Sequence, residues 1–340
     1  MELHQINTKL PFLSFGESRI GGRAENQDSF GYADTMFGLL VTVCDGMGGG
    51  PGGKTASSIA VKEIIDGVSE SSADETPSNA LLKAIHRANL AILEAVDDNP
   101  KLKGMGTTCT ALLINKESAI IAHVGDSRVY QLRGHRKVFR TFDHSMVFGL
   151  VKEKVITEEQ ARLSEQSNII TRALGLKPEL EIDLVERPYD KGDRFMLCTD
   201  GIHGIMPEPE LIRRVTEDGN LGQTVDKIAT FVDGEGRKRG GGHDNMTLVI
   251  VETQNPSKLK EKMSKQNKII LIGVAALLAA SVVLNITQCS RDKRNRNQET
   301  DKAIVYDSVV RQGDTIDFSA NGKCYRFVKS STGKQQKQIP

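Results

Sequence analysis

Residues 107–132 constrain the fold most tightly. They hold three short runs rich in apolar and β-branched residues, 107–114, 119–124 and 127–132, with turn residues Asn115-Lys116 and Gly125-Asp126 between them. No helix fits in gaps that short. The runs are therefore expected to be antiparallel neighbours rather than βαβ units.

Around this block the pattern changes period. Apolar residues at Ala56, Ile59, Ala60, Ile64 and Val68 form a helical stripe over 54–68, and Leu81, Ile85, Ala88, Ile92 and Val96 form another over 80–96. Residues 1–37 contain alternating stretches and the polar loop 23–29. Residues 145–175 read as a helical excursion in which Thr157-Glu158-Glu159-Gln160 resembles a helix start. Strands are expected at 181–186 and 194–199, a helical segment at 209–231, a flexible glycine-rich stretch at 234–242 and a last strand at 246–252.

Composition narrows the chemistry. At 340 residues, 38% hydrophobic and 26% charged, the chain can bury a substantial core. A net charge of +1, no tryptophan and 5% aromatics supply neither the field nor the stacking platforms that nucleic acid would need. The five cysteines include no CxxC pair, and none is followed six positions later by arginine. Cys44, Cys109 and Cys198 sit in apolar runs and read as buried thiols.

Residues 269–286 carry no charge and only Ser281 and Asn285 as polar residues. As a helix this stretch would span roughly 27 Å, close to a bilayer's hydrocarbon thickness. Lys258, Lys260, Lys262, Lys265 and Lys268 precede it, and Arg291, Lys293, Arg294 and Arg296 follow. The expected organisation is a main globular domain at 1–255, a basic linker at 256–268, a single transmembrane helix at 269–286 and a tail at 287–340. The tail reads as a disordered polar segment with some strand character at 315–318 and 324–328. The amino terminus does not resemble a signal peptide. The domain at 1–255 is expected on the cytoplasmic side of an inner or plasma membrane, with the tail outside, where Cys289 and Cys324 could pair.

Four aspartates share one context, at the end of an apolar strand or just before one: Asp45 in VTVCDG, Asp126 in AHVGDSR, Asp200 in FMLCTDG and Asp244 in GGHDNMTLVIV. One such aspartate is a plain turn. Four of them, if gathered, repel one another and call for hard divalent cations with oxygen ligands. A rival reading starts at the same place: GGGPGGKT (48–55) satisfies the phosphate-loop pattern of a nucleotide hydrolase, with Lys54 and Thr55 as its reactive pair. That reading wants a parallel sheet, which 107–132 does not support.

The motifs RAENQDS, VCDGMGGGPGGKTAS, GTTCTALLI, AHVGDSRVYQLR, DHS, ITRALG, CTDGIHGIM and GGHDNMTLVIV run in order through residues 15–252. Together they resemble the metal-dependent Ser/Thr protein phosphatases of the PPM (PP2C-type) family in their bacterial form. The resemblance implies an α+β fold, a four-layer α/β/β/α sandwich of two antiparallel sheets flanked by helices. It implies hydrolysis of phosphoserine and phosphothreonine in proteins by a metal-bridged hydroxide at a binuclear Mn2+ or Mg2+ centre. Asp45 would bridge both metals, the Gly46 carbonyl would bind one, Asp200 and Asp244 would complete the other, and Asp126 would hold a third. Arg23 falls where the family grips substrate phosphate, and Asp28 where it binds metal-bound water. Gln27 replaces a glutamate of many members, which keeps a pseudophosphatase sensor or scaffold in view. Met47 stands where animal members carry a histidine, and His123 and His144 read as packing or supporting residues. Residues 145–175 correspond to the family's flap beside the site. The implied partners are phosphorylated proteins and a cognate Ser/Thr kinase with its substrates, together with the membrane through 269–286 and no nucleic acid.

Overall fold

The structure, a computed structural model, describes residues 3–48, 52–260 and 263 and the strands at 306–312, 315–320 and 323–328. The chain divides into two compact units, residues 1–266 and 267–340. The first begins with strands β1 (His4–Ile6), β2 (Phe12–Arg19), β3 (Ser29–Thr35), β4 (Gly38–Cys44) and β5 (Gly46–Met47), then helices α1 (Gly52–Ser69) and α2 (Pro77–Asp98). Strands β6 (Gly106–Thr107), β7 (Cys109–Ile114), β8 (Ala119–Val124), β9 (Arg128–Arg133) and β10 (Arg136–Arg140) follow. After helices α3 (Met146–Lys152) and α4 (Glu158–Arg162) come β11 (Asp183–Arg187), β12 (Arg194–Cys198), α5 (Asp200–His203), α6 (Glu208–Val215), α7 (Leu221–Lys238) and β13 (Met246–Thr253).

The strands form two main sheets, six-stranded in the order β1-β2-β13-β12-β9-β10 and five-stranded in the order β11-β8-β7-β4-β3. Every pairing in both is antiparallel. Strand β4 shows why the sheets are covered on both sides. All seven of its residues are buried. Leu39, Val41 and Val43 pack with Phe195, Leu197, Val249 and Val251 between the sheets, while Leu40 and Cys44 meet Ala56, Ala60 and Ile64 of α1. On the outer face of the other sheet, Met196, Cys198, Leu248 and Ile250 pack against Val225, Ile228 and Val232 of α7. The result is a sandwich of two antiparallel sheets with helices on each outer face.

Several expectations shift. The 145–175 excursion contains only α3 and α4, capped by Ser145 and by a Thr157–Gln160 capping box, with turns beyond. The 209–231 helix is two helices: the first ends at Val215 with Thr216 as its C-cap, and Asn220 caps the second by accepting a hydrogen bond from Gln223 N–H. The 234–242 stretch is not a flexible loop throughout: α7 runs on to Lys238, and Gly236 is needed there because a Cβ would sit 2.2 Å from the His243 ring. The first unit also extends past residue 255, since Ser257 is buried, its N–H donates to Tyr189 O and its Oγ accepts from Tyr189 N–H, while Lys258 N–H donates to Lys116 O.

The second unit contains an antiparallel meander, β14 (Tyr306–Gln312), β15 (Thr315–Ala320) and β16 (Lys323–Val328), and the strand character expected at 315–318 and 324–328 falls within β15 and β16. Among the described residues no helix is long and apolar enough to cross a membrane. The expected span at 269–286 and Cys289 lie outside the described residues, as does the side chain of Cys324.

Candidate metal centre

Antiparallel pairing brings the singled-out aspartates to one end of the sandwich. Strands β4 and β8 both run antiparallel to β7, so Asp45 and Asp126 leave the five-stranded sheet at the same end. In the other sheet β12 ends where its partner β13 begins, which sets Asp200 beside Asp244. The end of β2 pairs with the start of β13, and loop 20–28 follows there. Asp45, Gly46, Asp126, Asp200, Asp244, Arg23 and Gln27 accordingly line one open cleft of about 210 Å³.

Rigid backbone supports hold these groups. Asp45 N–H donates to Thr108 Oγ1 at 2.9 Å, and Asp45 O accepts from Thr107 Oγ1 at 2.8 Å and from Thr108 N–H at 2.9 Å. Gly46 tolerates no side chain, because a Cβ would lie 2.0 Å from Gly53 O and 2.7 Å from Gln27 O. Gly201 is equally tight, its Cβ position being 1.9 Å from Asn245 O. The DG pairs are thus close backbone crossings as well as turns.

The electrostatics demand cations. Burial, followed by repulsion from Asp28, Asp200, Asp126 and Asp244, pushes the Asp45 carboxyl well above the usual carboxylate range. Burial, with Asp244 next, raises Asp200 to about 6. Asp126 is likewise pushed up by burial and by Asp200. Asp28 is buried, its Oδ2 accepting from Thr199 and Thr247 hydroxyls at 3.0 and 2.7 Å. Burial raises it to about 7 despite those two bonds. Asp28 Oδ1 and Asp200 Oδ1 are buried without a hydrogen-bond partner. Clustered anionic oxygens with unpartnered lone pairs are a fitting donor set for hard divalent cations.

The rim contains one cation placed for an anionic ligand. Arg23 is half-exposed, and its Nη2 donates to Asp244 Oδ2 at 2.9 Å. Gln27 N–H donates to Asn245 Oδ1 at 2.8 Å, and its carbonyl accepts from Ser57 Oγ at 2.5 Å.

The profile of the family described as Protein phosphatase 2C matches residues 15–238. The chain belongs to the protein phosphatase 2C family. The serine/threonine phosphatase stp of Listeria monocytogenes is 34% identical over 234 residues, covering 68% of this chain and 91% of the relative. The serine/threonine protein phosphatase PstP of Mycobacterium tuberculosis is 35% identical over 233 residues, 68% of this chain but 42% of that longer protein. Among solved structures, the PstP catalytic domain in complex with two manganese ions superposes with a TM-score of 0.62 at 31% identity, covering 72% of this chain and 99% of that one. Stp1 from Staphylococcus aureus gives 0.65 at 28% identity over 74% and 98%.

The phosphatase 2C domain disposes of the phosphate-loop reading. Lys54 Nζ donates to Asp28 O at 2.8 Å and to Ser29 Oγ at 3.1 Å, tying the start of α1 to the 23–29 segment. The sheets are antiparallel throughout. Residues 49–51 lie outside the described residues. A thiolate nucleophile is equally unsupported. Cys44, Cys109 and Cys198 are buried, Cys44 is pushed up by its hydrogen bond with Cys109 and by burial, and Cys198 is raised to about 12 by burial.

Some supporting residues escaped the sequence reading. Thr199 and Thr247 hold Asp28. Asn245 Nδ2 donates to Ile20 O and Glu25 O and so wires the Arg23 loop. His203 Nε2–H donates to Asp126 O at 3.0 Å. Each is a polar residue within three positions of a strand-end aspartate, and that proximity was the available signal.

Proposed function

We propose that the chain is a metal-dependent protein phosphatase that hydrolyses phosphoserine and phosphothreonine in proteins. The observation that carries this reading is the convergence of Asp45, Asp126, Asp200, Asp244 and Arg23 on one cleft, with buried carboxylate oxygens left unpartnered beneath it. Asp45, the Gly46 carbonyl, Asp200 and Asp244 would hold two divalent ions, manganese or magnesium, and Asp126 a third. Such ions supply charge neutralisation of the phosphoryl oxygens and a nucleophilic water at neutral pH.

The chain's own groups supply position and charge. The Arg23 guanidinium offers a planar fork to two phosphoryl oxygens, and its present partner Asp244 orients it over the cleft. Asp28, locked by two hydroxyls, presents its remaining oxygen as an acceptor for a water proton. Gln27 tunes that neighbourhood as a neutral group. No side chain is needed as a covalent nucleophile, consistent with the raised thiols.

The physiological substrates are proposed to be targets of a Ser/Thr kinase that uses cytoplasmic nucleotide, with the catalytic domain facing the cytoplasm. Residues 269–286 are proposed as the anchor, on their uncharged composition and basic flanks. Fractionation tests this: the full chain should resist carbonate extraction and a chain ending at 268 should not. A phosphoproteome comparison of cells carrying wild type or Asp45→Asn tests the substrate class. Phosphoserine and phosphothreonine sites should rise in the variant, and an unchanged pattern would count against the reading.

A further inference from the structure

Three ligand-type side chains meet beside the cleft: His123 at the end of β8, His144 ahead of α3 and Asp183 at the start of β11, their donor atoms all within 4.8 Å of one another. Two imidazoles and a carboxylate are a plausible set for a metal of the zinc type. The hydrogen bonds point elsewhere. Gly125 N–H, which can only donate, meets His144 Nδ1 at 3.1 Å, so the ring proton resides on Nε2. Nε2–H then donates to Asp183 Oδ2 at 3.1 Å, and that nitrogen has no lone pair for a cation. The positive charge is already supplied by Arg172. Its Nη1 donates to Asp183 Oδ1 at 3.0 Å and lies 3.1 Å from His144 Nε2, so the two N–H groups converge on one carboxylate. His123 stacks on His144 with ring centroids 4.6 Å apart. Burial lowers His123 to about 3, so it adds bulk without charge.

This network joins two walls of the catalytic cleft. On one side His144 N–H donates to Gly125 O at 2.7 Å, so the residue before Asp126 is bonded through both its backbone groups. On the other side Thr171 N–H donates to His144 O at 2.7 Å and Met146 N–H to Ile169 O at 2.9 Å. Asn168 and Ile170, in the segment so held, line the cleft.

We propose that His144 is a positioning residue, which with Asp183 and Arg172 clamps the Asp126 loop to the 168–172 wall so that the Asp126 ligand and the substrate-facing wall are set together. The metal-affinity part rests on the phosphatase reading above; the clamp itself does not.

The test uses the purified full chain, with Asp183→Asn as the main variant because Asp183 is exposed and nearly isosteric with Asn. His144→Asn is the second, since the new Oδ1 can still accept Gly125 N–H while the link to Asp183 is cut together with the stacking on His123. Both should speed amide exchange at 168–174 and weaken the weakest-bound manganese by about tenfold in calorimetry. KM for a phosphothreonine peptide should rise about tenfold while kcat stays within about twofold. Combining Asp183→Asn with Arg172→Gln should add little, because the residues act as one unit. Unchanged exchange and manganese binding in Asp183→Asn, or fully additive effects, would overturn the clamp. So would one tight zinc ion in wild type that Asp183→Asn removes. A wild-type chain that binds no manganese would instead contradict the phosphatase reading, while the exchange measurement still decides the clamp.

Discussion

At the scale of single residues, the site is a balance between concentrated negative charge and one arginine. Arg23→Ala should raise KM for a phosphopeptide by about ten- to a hundredfold, the loss of a charge-assisted contact, and Arg23→Lys should recover only part because it lacks the fork. Steady-state kinetics at saturating manganese checks this, and an unchanged KM would place the phosphate elsewhere. Gly46→Ala should lower the melting temperature and abolish manganese binding, since its methyl would occupy the space of Gly53 O. The four aspartates that line the cleft were legible in the sequence because a strand end is a local signal and all four share it. Thr199, Thr247, Asn245 and His203 were not, because each acts through a partner tens or hundreds of residues away. Gln27 could be read as a substitution, but its backbone role between Asn245 and Ser57 could not.

At the scale of elements, helix α2 anchors the segment that follows the cleft wall. Asn89, fully buried in α2, accepts Gly175 N–H at 2.7 Å and donates to Lys177 O and Pro178 O at 2.9 and 3.2 Å, fixing the chain where it leaves the cleft. Asn89→Ala leaves the buried Gly175 N–H unpaired and should cost about 1–3 kcal/mol in urea unfolding. A cost near zero would mean that solvent already satisfies it. Helices α1 and α2 were legible from their apolar stripes, and β7 to β9 from their spacing. The two-helix break at 216–220 was not, because the apolar stripe continues across Asn220, whose capping role depends on geometry. Strand β10 was missed because Arg136 and Lys137 give it a polar, edge-strand composition. The extension of α7 was missed because Gly234 and Gly236 read as breakers, whereas Gly236 is a packing requirement against His243.

At the scale of the molecule, fold and charge are coupled. Asp28 and Asp200 titrate near 3.8 when unfolded, and in the folded chain burial raises them to about 7 and about 6. A raised folded pKa means the fold binds those protons more tightly, so this stabilisation is present at low pH and is lost as pH rises through that window. In EDTA the melting temperature should therefore be higher near about pH 5.5 than near about pH 8, and manganese should stabilise most at the higher pH, where it replaces the protons. Asp28→Asn should flatten the EDTA profile; an unchanged slope would contradict the assignment. The sandwich was legible only through the resemblance carried by the ordered motifs, since periodicity alone gives strands and helices without their layering. The measurement nearest to the central claim is phosphate release from phosphothreonine and phosphoserine peptides by the purified chain, with manganese or EDTA, for wild type and Asp45→Asn. Manganese-dependent release that EDTA abolishes and Asp45→Asn lowers about a thousandfold is the predicted result. Release indifferent to EDTA, or equal in the two proteins, would contradict it.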